Sequence, residues 1–163
     1  MTQLVFRDDA YARSCEATVV AVRDNIVELD RTVFYPLGGG QAGDTGMLGG
    51  AKVIDTRKGD GEAVLHMLEP GAGLPQVGEK VRAELDWERR HRLMRYHTAL
   101  HLLGAVVKAP VPGGRIGADK AHLDFDIDME KLVKGGIEEQ LNALIDAGHD
   151  TRAGWITDAE LDA

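Results

Sequence analysis

The feature that most constrains this chain is a change of hydrophobic period at Asp86. Upstream of it, short segments such as CEATVVAV, NIVELD, AKVIDT, AVLHML and KVRAELD are rich in β-branched residues. Asp-Asn, Gly-Gly, Gly-Asp-Gly and Pro-Gly signals separate them, so residues 1–86 read as β throughout and a small barrel or sandwich follows. Downstream, DWERRHRLMRYHTALHLLGAVVKA sets Leu93, Tyr96, Leu100, Leu103 and Val107 on one helical stripe, with Asp86 as N-cap and Pro110 and Pro112 as the stop.

After a glycine-rich loop, PGGRIGADK, the run AHLDFDID alternates like a strand. A second helix is predicted with Val133, Ile137, Leu141 and Ile145 on one side and Gly148 at its C-terminal cap. The expected fold class is α+β, with an N-terminal β-barrel-like domain in residues 1–86 and an α+β domain in residues 87–163. TRAGWI reads as a further strand, and Thr157-Asp158-Ala159-Glu160 is a capping box that should open a helix. That helix start falls at the last residues, which predicts a chain truncated at its C-terminus.

Hydrophobic residues at 44% and charged residues at 28% suit a globular chain and exclude disordered and collagen-like classes. No apolar run approaches the roughly 18 residues that span a bilayer, and MTQLVFRDDAYAR lacks the parts of a secretory signal. The reading is a cytoplasmic protein with no membrane partner. Cys15, the single cysteine, cannot close an intramolecular disulfide and reads as a small buried strand residue.

The net charge of -8 argues against nonspecific binding to nucleic acid, yet it is unevenly spread. Residues 1–86 carry -5, residues 87–120 carry +5 and residues 121–163 carry -8. The basic block centres on WERRHRLMR, where Arg89, Arg90, Arg92 and Arg95 repel one another unless an anion or a carboxylate lies near. A solvated helix face is the bland alternative.

Two motifs carry chemistry. In FYPLGGGQAGDTG, Gly38, Gly40 and Gly43 spell a dinucleotide fingerprint, but no helix follows them and no Gly-Lys-Ser/Thr occurs, which disfavours a nucleotide cradle and ATP binding. Turns and a bulge explain the glycines and leave Gln41, Asp44 and Thr45 without a role. In HTALH, His97 and His101 are four apart on a helix and can reach one metal ion, though zinc needs further ligands and a hydrogen-bonded, partly buried pair is an equal reading. Thr98 stands where a metalloprotease needs its glutamate.

Taken in order, Thr32, FYPLGGGQAGDTG, HTALHLL and GGRIGADKAHLDFD resemble the alanyl-tRNA editing family. It comprises the editing domain of alanyl-tRNA synthetase and free-standing AlaX-type proteins, which deacylate wrongly charged tRNA. The match runs from about Arg7 to Ala163. The resemblance implies that residues 87–163 form the zinc-binding editing domain, with His97 and His101 as the first pair of Zn2+ ligands. It implies that Thr32 meets the hydroxyl of a serine, and that Gly38, Gly39, Gly40 and Gln41 line the pocket, Gln41 with a catalytic part. The family completes its zinc site with a C-terminal Cys-x-x-x-His, which this sequence does not contain. Leu37 replaces a residue that is often acidic or polar in the family, and His122 stands where an arginine is common.

The implied activity has a physical rationale. A pocket sized for alanine discriminates against glycine or serine by only about 10- to 200-fold, so a second, hydrolytic sieve is needed. The substrate would be tRNA(Ala) mischarged with serine or glycine, and the reaction hydrolysis of its ester. The cluster Arg89, Arg90, Arg92 and Arg95, with Lys108, Arg115 and Lys120, would hold acceptor-stem phosphates. The alternative is a noncatalytic RNA- or protein-binding module on the same fold. An unrelated metal-dependent hydrolase would instead turn over small esters without tRNA.

Overall fold

The computed structural model describes residues 2–152 and 154–161. A two-residue strand β1 (Gln3–Leu4) pairs in parallel with β4 (Arg31–Thr32), and a single helical turn α1 (Val5–Asp8) follows β1. Residues 1–86 are thus not β throughout. The remaining strands here are β2 (Ser14–Arg23), β3 (Ile26–Leu29), β5 (Gly46–Leu48), β6 (Ala51–Lys58), β7 (Val64–Leu68) and β8 (Lys80–Leu85).

These six close a barrel in the order β2-β3-β7-β6-β5-β8, with every pairing antiparallel. Closure removes the free edges that an open sheet of short strands would expose. Alternation fixes the register. In β8, Val81, Ala83 and Leu85 point inward while Lys80, Arg82 and Glu84 face water. In β7 the inward positions are Val64, His66 and Leu68, so one imidazole lies among the aliphatic side chains. Ala17, Val19, Val27, Leu29, Val33, Phe34, Leu48, Ala51 and Val53 add to the barrel core.

The long helix α2 (Trp87–Val107) starts where the period changes, and the Asp86 carboxylate accepts the Arg89 N–H at 3.1 Å. Such a cap contributes about 1 kcal/mol. It ends at Lys108, whose φ of 53° is left-handed and whose N–H bonds to the Gly104 carbonyl, just ahead of the two prolines. Leu93 is fully buried, and the rest of the predicted stripe is half-buried.

Three expectations for the second half are corrected. PGGRIGADK is not all loop, because β9 (Gly113–Ile116) pairs antiparallel with β10 (Ala121–Asp124). A Cβ at Gly114 would fall 2.9 Å from the His122 carbonyl oxygen and 2.7 Å from the Leu123 side chain, so close packing makes a strand look like a turn in the sequence. The last helix of the core, α3 (Lys134–Asp146), buries no residue fully. Val133 precedes it as the N-cap, and Val133 and Ile145 are 68% and 50% exposed, so only Ile137, Leu141 and Leu144 turn partly inward. Gly148 does follow its end, with φ 59° and its N–H on the Ile145 carbonyl.

The described residues of TRAGWI form no strand. No neighbouring strand pairs with them, and Trp155 is 96% exposed, while Ala153 lies outside the described residues. The capping box does open a helical turn, α4 (Asp158–Leu161), with the Glu160 carboxylate accepting the Thr157 N–H at 2.7 Å. Cys15 is half-buried in β2, where burial raises its thiol pKa. No helix among the described residues is long and apolar enough to cross a membrane.

Candidate functional site

The glycine motif resolves into a tight hairpin turn. Gly38 and Gln41 exchange two backbone hydrogen bonds, of 3.0 and 3.1 Å, around Gly39 and Gly40 at φ 57° and 75°. Positive φ at both central residues is what a two-residue hairpin turn demands, and glycine adopts it without strain. The turn is then fastened to β9, because the Ile116 N–H donates to the Gly40 carbonyl at 2.8 Å and the Ala42 N–H to the Ile116 carbonyl at 3.1 Å. Close approach continues at Gly43, where a Cβ would sit 2.1 Å from the Thr56 carbonyl oxygen. No phosphate cradle is formed, since β5 and not a helix follows the turn.

Asp44 accounts for one of the residues the turn alone left without a role. Its buried carboxylate accepts the Tyr35 N–H at 2.6 Å and the Arg90 Nε at 2.8 and 2.9 Å, and it also pairs with Arg90 Nη2. Arg90 Nη2 donates in addition to the Val33 carbonyl at 2.8 Å. Arg89, half-buried, donates Nη1 to the Gly43 carbonyl at 2.8 Å. Two members of the arginine cluster thus tie α2 to the glycine segment. Arg92 and Arg95 remain exposed on α2, and Arg115 is exposed on β9.

This tether brings α2 over the turn so that the His97 Nδ1–H donates to Gln41 Oε1 at 2.9 Å. The amide oxygen can only accept, so the proton is on Nδ1 and the Nε2 lone pair is free. One turn on, the His101 ring stacks on His97 with centroids 5.1 Å apart and planes inclined by 10°. Burial, and then the neighbouring His101, lower the His97 pKa, which favours the neutral imidazole. Gln41 is buried, His97 half-buried and His101 exposed.

The pair offers zinc two nitrogen ligands from one helix face. Among the described residues no group of three or more His, Cys, Asp and Glu side chains could hold a metal ion. By themselves these residues do not fit a complete tetrahedral site, and no chemical step is routed through a metal here.

Two cavities meet at His97. One, of about 500 Å3, is lined by Gly39, Gly40, His97, His101, Ile116 and Leu123 among others. The second, of about 520 Å3, is lined by Gln41 and His97 together with Phe6, Arg7, Tyr35, Lys58 and Arg90 among others. Thr32 lines neither. It is fully buried, its hydroxyl donating to His66 Nε2 at 2.8 Å and accepting the Phe34 N–H at 3.0 Å. His66 Nδ1 donates to the Val27 carbonyl at 3.0 Å, which fixes this tautomer, and burial holds its pKa down to about 4. The hydroxyl expected to meet a serine therefore keeps a single free lone pair. His122 is an exposed residue of β10 opposite Arg115, and Leu37 is 52% exposed.

Sequence reasoning missed His66, the Asp44–Arg90 pair and the second cavity. A polar residue at an inward position of AVLHML was the available signal for His66. The Arg90 partner had none, because 46 residues separate it from Asp44.

The family model described as tRNA synthetases class II (A) matches residues 7–89. The alanyl-tRNA editing protein AlaX-M of Pyrococcus horikoshii is 32% identical over 97% of this chain and 76% of its own length. AlaX-M of Saccharolobus solfataricus is 37% identical over 78% of this chain and 58% of its own. Alanine–tRNA ligase of Metallosphaera sedula is 38% identical over 89% of this chain, which is only 17% of that enzyme. The chain belongs to the AlaX-type alanyl-tRNA editing family.

Proposed function

We propose that this protein is a trans-editing hydrolase that removes serine, and also glycine, from mischarged tRNA(Ala). The observation that carries this reading is the Gln41–His97 hydrogen bond, whose histidine lines both cavities. In the reaction a water oxygen adds to the ester carbonyl carbon, the bond to the terminal ribose oxygen breaks, and that oxygen leaves as a hydroxyl with a proton from the water. His97, oriented by Gln41, keeps its Nε2 lone pair free and lines both cavities. The positive-φ backbone of Gly39 and Gly40 lines the first cavity with no side chain to obstruct an aminoacyl group.

His97 and His101 would hold Zn2+ together with ligands other than the described residues, and a bound ion would supply Lewis-acid polarisation. Arg92, Arg95 and Arg115 are exposed and suited to acceptor-stem phosphates, whereas Arg89 already serves Gly43. Thr32, fully buried and lining neither cavity, is not placed to meet a serine side chain, and its proton is committed to His66. The barrel as one domain and the segment from Trp87 as the editing domain remain the proposed division.

The test is deacylation of Ser-tRNA(Ala), Gly-tRNA(Ala) and Ala-tRNA(Ala), with zinc stoichiometry measured on the same sample. Release of serine with alanine spared supports the reading. A chain that binds tRNA and spares all three esters is a binding module on the editing fold.

A further inference from the structure

A stripe of rings and cations on α2 lies outside both cavities. Trp87, His91 and Arg95 recur every four residues and so share one face of the helix. The His91 ring stacks on Trp87, with centroids 5.5 Å apart and planes inclined by 12°. From the chain ahead of β2, the Tyr11 ring packs 5.6 Å from Trp87 and 6.3 Å from His91, and the Arg13 guanidinium lies 4.7 Å from the Trp87 ring centroid. The backbone holds both residues. The Tyr11 N–H donates to Asp9 Oδ1 at 2.8 Å, and the Arg13 carbonyl accepts the Leu85 N–H at 2.9 Å. Trp87 and His91 are half-buried while Tyr11 is 63% exposed, so the Tyr11 ring is fixed by its neighbours and still faces water. Arg13, Arg92 and Arg95 are exposed, and among the described residues none of them makes a salt bridge. Glu88 is the one acidic residue of α2.

We propose that this stripe seats the open end of the substrate's RNA duplex, with the Tyr11 ring against the last base pair and Arg13, Arg92 and Arg95 on backbone phosphates. The inference rests on the editing reading and deepens it. A duplex ends in a base pair with one uncovered π-face, flanked by anions, and a fixed aromatic ring beside unpaired cations matches that end. A guanidinium that covers an indole with its face keeps its N–H edge for a phosphate oxygen. Reach agrees as well. His97 lies ten residues beyond Trp87, about 15 Å along the helix axis. A stacked single strand of about four nucleotides covers about 14 Å, so a stem ending at Tyr11 leaves its 3′ overhang long enough to arrive at His97. The stripe thus accounts for two residues, Tyr11 and Arg13, that the cavities leave without a part in binding.

The closing experiment compares deacylation of a seryl-minihelix, an RNA stem ending in CCA, with that of the seryl-CCA trinucleotide, which has no stem. The proteins are the wild-type chain, Tyr11→Ala, Tyr11→Phe and Arg13→Gln, each with its melting temperature and sedimentation behaviour. The wild type should favour the minihelix in kcat/KM. Tyr11→Ala is expected to cut that preference about tenfold, through KM, and Tyr11→Phe to retain it, because stacking uses the ring and not the hydroxyl. Arg13→Gln should lower the slope of log affinity for the uncharged minihelix against log salt by about one. A preference that persists in Tyr11→Ala and Arg13→Gln, alongside wild-type deacylation, overturns the stem assignment and leaves the editing reading in place. Equal losses on the two esters, with a lowered melting temperature, make the rings a brace for α2 and also overturn it. So does a wild-type dimer that Tyr11→Ala splits into monomers, which makes the stripe a contact between copies of this chain. A wild-type chain that binds no minihelix and deacylates neither ester overturns both readings.

Discussion

Gln41 Oε1 and His97 Nδ1 lie 2.9 Å apart although 56 residues separate them. The bond joins the glycine turn of the barrel to the helix above it. It fixes which imidazole nitrogen carries the proton, and groups that orient a histidine in this way typically contribute 10- to 100-fold to metal affinity or activity. Gln41→Ala should therefore lower Ser-tRNA(Ala) deacylation by about 10- to 100-fold with the melting temperature little changed. Gln41→Glu keeps an acceptor at the same place and should recover most of the loss. Equal activity in Gln41→Ala and the wild type would show that the bond does not orient a working imidazole.

The Asp44–Arg90 pair should matter for stability first. Arg90→Met leaves a buried carboxylate without its cation, a change that typically costs about 3–5 kcal/mol. Denaturant unfolding should show that loss in the single variant and recover part of it in Arg90→Met with Asp44→Asn, where no charge is left alone. Equal destabilisation in the single and double variants would mean that the hydrogen bonds to Val33 and Tyr35, and not the charges, hold the helix down.

What the sequence disclosed follows from range. Period and capping are local, so the strands of the barrel, the Asp86 cap and the helix bearing His97 and His101 were legible. Family motifs supplied the proximity of Gln41 to the histidines. The closed strand order depends on which β-branched segments pair, and nothing local says that β5 lies between β6 and β8. Gly114 reads as loop because a glycine needed for close approach to His122 and Leu123 looks, in one dimension, like a glycine needed for a turn. The arginine cluster was legible as a charge conflict, and its resolution at Asp44 was not.

The glycines of the motif should differ in what replacement costs. Gly43→Ala places a Cβ 2.1 Å from the Thr56 carbonyl oxygen, a backbone atom that cannot swing away, so β6 must shift. Gly39→Ala meets only the Tyr35 hydroxyl oxygen at 3.7 Å and suffers only the strain of φ 57°, about 1–2 kcal/mol. Thermal unfolding should rank Gly43→Ala well below Gly39→Ala. The opposite ranking would mean that the segment between Pro36 and Gly46 yields as a unit.

His66 makes stability depend on pH with a definite sign. The unfolded chain takes up this proton near 6.5, and the folded chain only near 4, because burial disfavours the imidazolium among Phe34, Val27 and Thr32. Between those values the unfolded state binds more protons, so stability falls as pH falls. The contribution is complete above pH 6.5 and exhausted below about pH 4, on the order of 3 kcal/mol in all. Urea unfolding at pH 7, 5.5 and 4 should show this decline beyond what the carboxylates produce. His66→Gln, which can still accept from Thr32 and donate to Val27, should be less stable at pH 7 and show a shallower slope across the window. An identical slope in the variant would place the pH dependence elsewhere and leave His66 as a fixed polar brace whose proton the barrel never contests.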